Sequence, residues 1–478
     1  MASSSSSAST LLHYDDVVVG AGQSGCPLAI ALAAAGRKTA VVERAHVGGT
    51  CVNVGCTPTK TLIASGRMAH LVRRARDYGV DPGRDDVVAV DMGRVRQRQR
   101  DMVSSFHAGS EARLHKAGVH LIRGEAAFAG PKTLHVTLAG TSATSEISET
   151  TETPAKTTLQ ADRIFLNVGE RPLWPNNLPG LDAVADRSHL LDSTSILELD
   201  VVPRHLLVVS GSYVGLEFAQ LFRRLGAAVT VVQRASQLLP RDDPDVAACL
   251  TDILRGEGMT VHLSAEVVHI LLAAGRTPNT ERLNLAAAGI RTTTRGHIVV
   301  DDRLATSCPD VYALGDVHGG PAFTHMAYDD YRILKANLLP SGSAHTKDMT
   351  TATSLSRRLV PYVVYTDPQL GHVGLHERDL ATASGHGHHR HVKTATMPMS
   401  YVARALETDE TRGMMKATVD ADTGDTLGFS CLGIEGGEVM AVVQAAMMGD
   451  LKWWDLEAAI WAHPSLAESL NNLWALLK

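Results

Sequence analysis

The sequence lacks the features that mark a disulfide-stabilised, membrane-spanning or nucleic-acid-binding protein. Six cysteines in 478 residues are too few for a disulfide scaffold, which favours a reducing, cytoplasmic compartment. No apolar run approaches the ~20 residues that a membrane-spanning helix requires. The formal net charge of -6 gives no reason to expect binding to nucleic acid or to an anionic membrane. Residues 1–11 include a serine tract without the apolar core of a signal peptide, so we expect a disordered tail there.

The start of the chain is typical of a dinucleotide-binding βαβ unit. An apolar strand at residues 16–19 runs into a turn that contains Gly20, Gly22 and Gly25, and an Ala/Leu-rich helix follows. Glycines at this spacing let backbone N–H groups and the helix N-terminus approach a pyrophosphate. Glu43 ends the next strand, where a carboxylate can accept hydrogen bonds from a ribose. The alternative is a tight strand-to-helix turn with no ligand.

A similar unit recurs further along, with Gly211, Tyr213 and Gly215 in its turn. Two such openings predict two nucleotide-binding domains. Residues 140–158 are dense in Ser, Thr and Glu and predict an exposed, poorly ordered insert, whereas the end of the chain alternates strand-like and helical runs. We therefore predict an α/β protein with two Rossmann-like domains and a C-terminal α+β domain. Its predicted domain borders are 12–165 with 281–345 for the first nucleotide-binding domain, 166–280 for the second and 350–478 for the C-terminal domain.

The decisive segment is residues 48–60, which hold Cys51 and Cys56 five positions apart. On an ideal helix this separation gives a rise of about 7.5 Å, beyond the usual reach of a disulfide, so a bridge needs a bend that Gly55 can supply. Pro58 suits the first turn of a helix. Cys56 would then lie at a helix N-terminus, where the partial positive charge favours a thiolate. The alternatives are two buried cysteines or half of a zinc site, but no matching second pair exists.

This segment, Gly-Gly-Thr-Cys-Val-Asn-Val-Gly-Cys-Thr-Pro-Thr-Lys, resembles the active site of the class I pyridine nucleotide-disulfide oxidoreductases. The likeness runs from about residue 15 to the end and is greatest to the mercuric-reductase-like branch that includes the reactive-chlorine-resistance copper reductases. The resemblance implies FAD as cofactor, with Cys56 as the thiolate facing the flavin and Cys51 as the outer, interchange thiol. It also implies that Lys60 lies near the flavin and pairs with Glu217.

Further residues are assigned to cofactor binding by the same resemblance. Asp316, in the segment Ala-Leu-Gly-Asp, is expected to bind the ribityl chain of FAD, and Ala327 belongs to a helix start under the flavin. Gly169 and Gly275 match the glycine motifs at the two domain crossovers. Thr50 and Lys60, within the cysteine segment, complete the expected FAD contacts.

Near the end, His463 and Glu468 match the family motif His-Pro-x-x-x-Glu. The resemblance implies that His463 is the acid-base for the outer thiol, is oriented by Glu468, and comes from the partner subunit of a homodimer. We interpret an apolar stripe at residues 466–477 as part of that interface, with a core helix as the alternative. True mercuric reductases lack this pair and carry C-terminal cysteines, whereas no cysteine follows Cys431 here, which disfavours that activity.

The second nucleotide-binding unit departs from the family. Arg234 stands where an acidic residue would favour NADH, so we predict NADPH, with NADH still possible. The stretch between Gly215 and Gly275 is shorter than in the family and lacks a β-meander. This shortening raises the alternative of an FAD-binding redox sensor with a decayed NAD(P) domain.

The function we predict is an FAD-dependent NAD(P)H oxidoreductase. Electrons would pass through the flavin to a Cys51–Cys56 disulfide and on to a small-molecule disulfide, a metal ion or another oxidant. A pathway-specific thiol/disulfide flavoenzyme of secondary metabolism is a further alternative. No resident metal is predicted, because the histidine-rich turn at residues 386–391 is interpreted as a solvated loop, and Cys26 is interpreted as a small core residue.

Overall fold

The structure is a computed structural model that describes residues 11–83, 88–139, 155–173, 189–265, 275–339, 354–355, 359–383 and 391–478. The chain divides into two compact units. The first unit comprises Met1–Pro58, Gln99–Leu173 and Gly275–Arg358, and the second comprises Thr59–Arg98, Trp174–Ala274 and Leu359–Lys478. Among the described residues, no helix is long and apolar enough to cross a membrane.

The strands and helices are numbered in chain order. The strands are β1 (Leu11–Val19), β2 (Thr39–Glu43), β3 (His120–Gly130), β4 (Thr133–Leu138), β5 (Lys156–Leu166), β6 (Glu170–Pro172), β7 (His205–Val209), β8 (Ala228–Val232), β9 (Thr260–His262), β10 (Arg276–Pro278), β11 (Val311–Ala313), β12 (Tyr362–Val364), β13 (Gln369–Gly374), β14 (Val392–Pro398), β15 (Met414–Asp420) and β16 (Thr426–Gly433). The helices are α1 (Gly25–Ala34), α2 (Gly49–Asn53), α3 (Cys56–Arg73), α4 (Met92–Lys116), α5 (Tyr213–Leu225), α6 (Pro244–Gly256), α7 (Thr324–Leu338), α8 (Glu377–Ala383), α9 (Ala403–Glu407), α10 (Gly436–Met448), α11 (Trp453–Ala458) and α12 (Leu470–Trp474).

The first unit is built on a mainly parallel sheet. Strands β3, β2, β1, β5 and β11 pair in parallel, and β4 joins β3 to β5 by antiparallel pairing. Val17 and Val18 are both fully buried although they point to opposite faces of β1. Such a continuous apolar run is expected where a parallel sheet is covered on both sides.

Two predictions about the edges of this sheet were wrong. Leu11, which we had included in the disordered tail, begins β1 and pairs with Thr158. Residues 156–158, predicted as the end of the exposed insert, belong to β5 because they gain backbone partners from β1 and β4. The remainder of the tail and insert, residues 1–10 and 140–154, lies outside the described residues.

The second unit contains the other predicted βαβ opening. Strands β7, β8 and β9 form a parallel sheet, and α5 connects the first two of them. Helix α5 buries Leu216, Phe218 and Phe222 and ends at Gly226, whose φ of 118° closes the helix in a conformation that favours glycine. Part of the stretch predicted to be shortened, residues 266–274, lies outside the described residues.

The C-terminal part of the second unit is a five-stranded antiparallel sheet in the order β12-β13-β16-β15-β14. Leu470, Leu473 and Trp474 of α12 are buried in the core beneath this sheet. Our interpretation of the stripe at residues 466–477 as a dimer interface was therefore wrong for its central residues, because their own chain already buries them. The α/β architecture and the C-terminal α+β sheet confirm the predicted fold class.

Candidate active site

The first glycine turn is shaped by close backbone approaches that exclude any side chain. Gly20 has a φ of 103°, and a Cβ there would lie 2.2 Å from the carbonyl oxygen of Asn167. A Cβ on Gly25 would lie 2.3 Å from the carbonyl oxygen of Gly20, and one on Gly22 would lie 2.8 Å from Asn167 Oδ1. Both distances are shorter than real Cβ contacts allow. Gly20 and Gly25 are therefore required by the backbone packing of β1, α1 and the end of β5, and Gly22 lies against the side chain of Asn167.

Asn167 joins this turn to the end of β11, a role that sequence reasoning missed. Its Oδ1 accepts a hydrogen bond from Gly25 N–H at 2.9 Å. Its Nδ2 donates to Ser24 Oγ at 2.8 Å and to Leu314 carbonyl oxygen at 3.0 Å. The signal available in the sequence was a polar residue directly after an apolar strand. Nothing in the sequence shows that two distant segments contact this one side chain.

Glu43 is held at the end of β2 by backbone donors. Ala21 N–H donates to its Oε2 at 2.8 Å, and Ala45 N–H donates to its Oε1 at 2.7 Å. Each carboxylate oxygen retains further acceptor capacity, since an ionised carboxylate offers about four sites. The predicted contact with a ribose is therefore compatible with the geometry and stays a prediction.

The turn that follows β11 is anchored by a buried acid. Asp330 of α7 is 1% exposed, and its Oδ2 accepts hydrogen bonds from Gly315 N–H at 2.7 Å and from His318 Nε2 at 3.0 Å. Asp316 follows directly after Gly315, and burial raises the pKa of its carboxyl group. This anchor fixes the backbone on which the predicted ribityl-binding Asp316 stands. In the sequence, Asp330 is recognisable only as an acidic residue within a helix, and its anchoring role is not visible.

The two cysteines lie on either side of the predicted bend. Helix α2 ends at Asn53 and α3 begins at Cys56. A Cβ on Gly55 would lie 2.8 Å from the Thr50 carbonyl oxygen, so the bend requires glycine. Both cysteines are free thiols, and the hydrogen bond with Cys56, together with burial, raises the pKa of the Cys51 thiol. The structure thus brings the predicted pair into contact.

Lys60 forms the predicted ion pair with Glu217 within the second unit. Lys60 Nζ lies 2.7 Å from Glu217 Oε2, and the glutamate side chain is 3% exposed. The other carboxylate oxygen accepts a hydrogen bond from Tyr365 N–H at 2.9 Å, and Lys60 Nζ lies 5.0 Å from the centre of the Tyr365 ring. Tyr365, which sequence reasoning missed, therefore supports both members of the pair.

His463 and Glu468, which we predict to be an acid-base pair, lie in contact. The imidazole Nδ1 lies 2.9 Å and 3.1 Å from the two carboxylate oxygens, while the histidine side chain is 73% exposed. A carboxylate at Nδ1 fixes the orientation of the ring. The other ring nitrogen, Nε2, is available for chemistry at the surface of the chain.

The second glycine turn is also closely packed, and Gly215 faces backbone. A Cβ on Gly215 would lie 2.6 Å from Ser210 carbonyl oxygen, and one on Gly211 would lie 2.7 Å from Leu238. Tyr213 begins α5 and stacks on Tyr362 with ring centres 5.2 Å apart. Arg234 is exposed just beyond the carboxyl end of β8, the edge at which open parallel sheets bind nucleotides.

The remaining residues that we singled out in the sequence lie in helices, in turns with positive φ, in the core or outside the described residues. Thr50 lies in α2 and Ala327 in α7, while Gly169 and Gly275 adopt φ values of 62° and 119°. Cys26 is a buried core residue, as predicted, and burial raises its pKa to about 12. Three histidines of the histidine-rich turn, at positions 386, 388 and 389, lie outside the described residues. In the part of the chain that the structure describes, no group of His, Cys, Asp and Glu could hold a metal ion.

Comparison with known proteins identifies the family. The profile of the pyridine nucleotide-disulphide oxidoreductases matches residues 14–271 and 265–330, and the profile of their dimerisation domain matches residues 360–474. The first two matches overlap at residues 265–271, within the stretch that we predict to be shortened. The probable pyridine nucleotide-disulfide oxidoreductase RclA of Escherichia coli is 33% identical over 493 residues, covering 97% of this chain and 99% of the relative. A mercuric reductase of Streptomyces lividans is 33% identical over 489 residues, covering 96% and 95%.

Solved structures agree with these sequence matches. The HOCl-induced flavoprotein disulfide reductase RclA from Escherichia coli, in a Cu(II) complex, superposes with a TM-score of 0.81 at 32% identity, covering 98% of this chain and all of that chain. The chain belongs to the pyridine nucleotide-disulphide oxidoreductase family. It is an FAD-dependent NAD(P)H oxidoreductase with a dimerisation domain.

The residues of the first glycine turn fit FAD. A Cβ on Gly22 would meet the Asn167 side chain at 2.8 Å, so this position of the turn remains bare backbone. Among the described residues no side chain caps the N-terminus of α1 at Ser24, which leaves the helix end for an anion such as a pyrophosphate. Glu43 and Asp316 lie at the carboxyl ends of β2 and β11, which belong to the same sheet.

Proposed function

We propose that this enzyme works as a homodimer in which the Cys51–Cys56 pair of one subunit reduces its acceptor with the help of His463 and Glu468 of the partner subunit. The observation that carries the proposal is the contact between the two thiols across the break between α2 and α3. Two thiols in contact at a helix N-terminus are suited to forming and reopening a disulfide. The chemistry that bound FAD supplies is two-electron transfer from NAD(P)H to that disulfide.

The reduced pair would return its electrons by thiol–disulfide exchange. The Cys51 thiolate attacks one sulfur of a disulfide acceptor, forming a mixed disulfide and releasing a thiolate. His463 of the partner subunit protonates that leaving group. The Cys56 thiolate then attacks the Cys51 sulfur, which releases the second thiolate and restores the Cys51–Cys56 disulfide. Two electrons have then passed from the pair to the acceptor.

Two features of the second unit support the dimer. His463 is held by Glu468 yet exposed in a single chain, which suits a group that serves another subunit. Large apolar side chains are also exposed nearby in sequence, at Leu451, Trp454 and Ile460, and the last of these is fully exposed. Such residues favour burial against a second copy. The buried stripe of α12 is not needed for this interface.

NADPH is the proposed reductant. Arg234 is exposed at the end of β8, and a guanidinium there can bind a 2′-phosphate through paired hydrogen bonds. A disulfide and Cu(II) are both candidate acceptors, because the similar structure is described as a disulfide reductase in a Cu(II) complex. We place the enzyme in the cytoplasm, where thiols stay reduced.

The second candidate function is an FAD-binding redox sensor, which the shortening between Gly215 and Gly275 favours. Stopped-flow mixing with NADPH and with NADH separates the two functions. A reductase turns over with glutathione disulfide, lipoamide, Cu(II) or Hg(II) after its reduction. A protein that neither nucleotide reduces at a useful rate would contradict the proposed reductase and favour the sensor.

The roles of the cysteines are tested by the long-wavelength absorbance of the two-electron-reduced enzyme. Cys56→Ser should abolish this band, because only a thiolate against the flavin donates into it. Cys51→Ser should keep or strengthen it, because the inner thiol then cannot form a disulfide. The opposite pattern would show that the two roles are reversed.

A further inference from the structure

Thr324 places a hydroxyl group at the redox pair. It is the first residue of α7, and its Oγ1 lies 3.5 Å from Cys56 Sγ, within hydrogen-bonding distance for sulfur. The same hydroxyl also hydrogen-bonds the Cys51 thiol. A single rotatable O–H therefore faces both sulfur atoms.

The position of this hydroxyl is fixed by the helix that carries it. Met326, in the first turn of α7, is 3% exposed, and Asp330 in the next turn is anchored to Gly315 N–H and His318. A side chain on a helix held at two successive turns does not need to be ordered when the thiols react. Preorganised donors of this kind stabilise charge at little cost in reorganisation.

The donors around the Cys51 sulfur suit an ionised thiol. Within the described part of the chain, the groups acting on it are the Cys56 thiol, the Cys56 backbone N–H and the Thr324 hydroxyl. The hydrogen bonds from the backbone N–H and from Thr324 both lower the pKa of Cys51, whereas the neighbouring thiol and burial raise it. Thr324 is the one side-chain donor among them that does not itself change its charge.

We propose that the Thr324 hydroxyl is a further catalytic residue, which donates a hydrogen bond to whichever sulfur of the reduced pair carries the negative charge. It thereby increases the thiolate fraction at neutral pH and speeds each exchange step. Because it stabilises the dithiol form relative to the disulfide, it also makes the pair a weaker reductant. This inference rests on the proposed redox role of the cysteines, but it is tested by thiol ionisation alone.

The test compares Thr324→Val, which keeps the shape and removes the hydroxyl, with Thr324→Ser, which keeps the hydroxyl. Each is combined with Cys51→Ser or Cys56→Ser in the flavin-containing protein, so that one thiol of the pair remains. The rate of alkylation by iodoacetamide is then measured against pH. A lost hydrogen bond to a charged group should raise the midpoint by about one pH unit in the valine variant, a roughly tenfold loss of rate below the midpoint. The serine variant should keep the wild-type midpoint.

Several outcomes overturn the proposal. An unchanged midpoint in Thr324→Val for both thiols shows that the hydroxyl does not act on them. An equal rise in Thr324→Val and Thr324→Ser assigns the effect to packing and not to the hydroxyl. Thr137→Val, an equivalent exchange on β4, is the control and should leave the midpoint unchanged. If the valine variant does not fold, Thr324→Ala replaces it in the same comparison.

A failure of this inference is distinguishable from a failure of the proposed function. If Thr324→Val leaves the midpoint unchanged while the Cys51–Cys56 disulfide still forms and is reduced by NADPH, only the role of Thr324 is wrong. If the midpoint moves as expected but no disulfide forms between the cysteines, the role of Thr324 stands and the redox function is wrong.

Discussion

The residues of the first glycine turn are constrained by the side chain of Asn167, which packs against them. The Asn167 side chain contacts two other segments, and each of its hydrogen bonds is made at 2.8–3.0 Å to a group buried at the ends of α1 and β11. Any side chain added at Gly22 meets its amide first. A substitution that displaces Asn167 should therefore disrupt the conformation of the turn, even if the substituted residue does not itself contact the ligand.

Gly22→Leu should abolish flavin retention, because a side chain there displaces Asn167 and occupies the position through which backbone approaches the pyrophosphate. Flavin content per chain, measured by absorbance after gel filtration, checks this. Gly109→Leu is the matched control, since nothing lies within 4 Å of a Cβ at this exposed position on α4. Full flavin content in Gly22→Leu would contradict the assignment of this turn to FAD.

Arg234 determines nucleotide preference in our proposal. We expect kcat/KM to favour NADPH over NADH, and we expect Arg234→Ala to remove most of that preference by raising the KM for NADPH. The physical reason is the loss of a cation opposite the 2′-phosphate. An enzyme that prefers NADH, with a ratio unchanged in Arg234→Ala, would refute this proposal.

At the scale of elements, a buried lysine connects three segments of the second unit. Lys416 of β15 is 4% exposed, and its Nζ lies 3.2 Å from Asp243, 2.8 Å from Asp245 and 3.0 Å from Glu377. Asp243 precedes α6 and Glu377 begins α8. Burial raises the pKa of Asp243, but the hydrogen bond with His376 and the charge of Lys416 outweigh it and lower that pKa to about 2.

Lys416→Met should destabilise the second unit by roughly 3 kcal/mol, because it leaves a buried carboxylate without its counter-charge. A carboxyl group with a depressed pKa in the folded state contributes stability above its unfolded pKa and loses it as the pH falls towards the folded value. The wild type should therefore lose stability between about pH 4 and pH 2. The variant should lose less stability in this window.

Thermal unfolding midpoints measured across this pH range check the prediction. Lys452→Met is the control, since in the described part of the chain Lys452 pairs with the more exposed acids Asp425 and Asp450, and exposed pairs contribute little. If both variants unfold at the same temperature, the buried cluster does not hold these elements together.

At the scale of the whole molecule, the question is whether one chain is sufficient for activity or whether His463 must come from a partner subunit. We expect Cys51→Ser and His463→Ala to be inactive separately and to regain activity when co-expressed. In a heterodimer, one of the two sites keeps both cysteines and the histidine of its partner. Random assortment then gives about a quarter of wild-type activity.

The complementation needs proof that heterodimers form, which two affinity tags on the two chains provide. Heterodimers that are isolated and remain inactive would show that His463 serves Cys51 within its own chain or does not serve it. Activity in His463→Ala alone would show that the histidine is not required at all.

The sequence by itself determined the local chemistry of this protein. The glycine spacing at residues 20–25, the bend at Gly55 and the position of Cys56 at a helix start depend on neighbouring residues along the chain. Helix and strand geometry translate such short spacings directly into positions. For the same reason, the resemblance found from residues 48–60 was sufficient to predict the family, which the comparisons confirm.

Only the tertiary structure decided which distant side chains support that chemistry. Asn167, Asp330 and Thr324 each act on segments that lie far away in the sequence or on another strand or helix, so no local spacing reveals them. The apolar stripe at residues 466–477 shows the same limit, because an apolar helical face specifies burial but not the partner. The packing of the C-terminal sheet supplied that partner within the chain, since it brings β14 and β15 against α12.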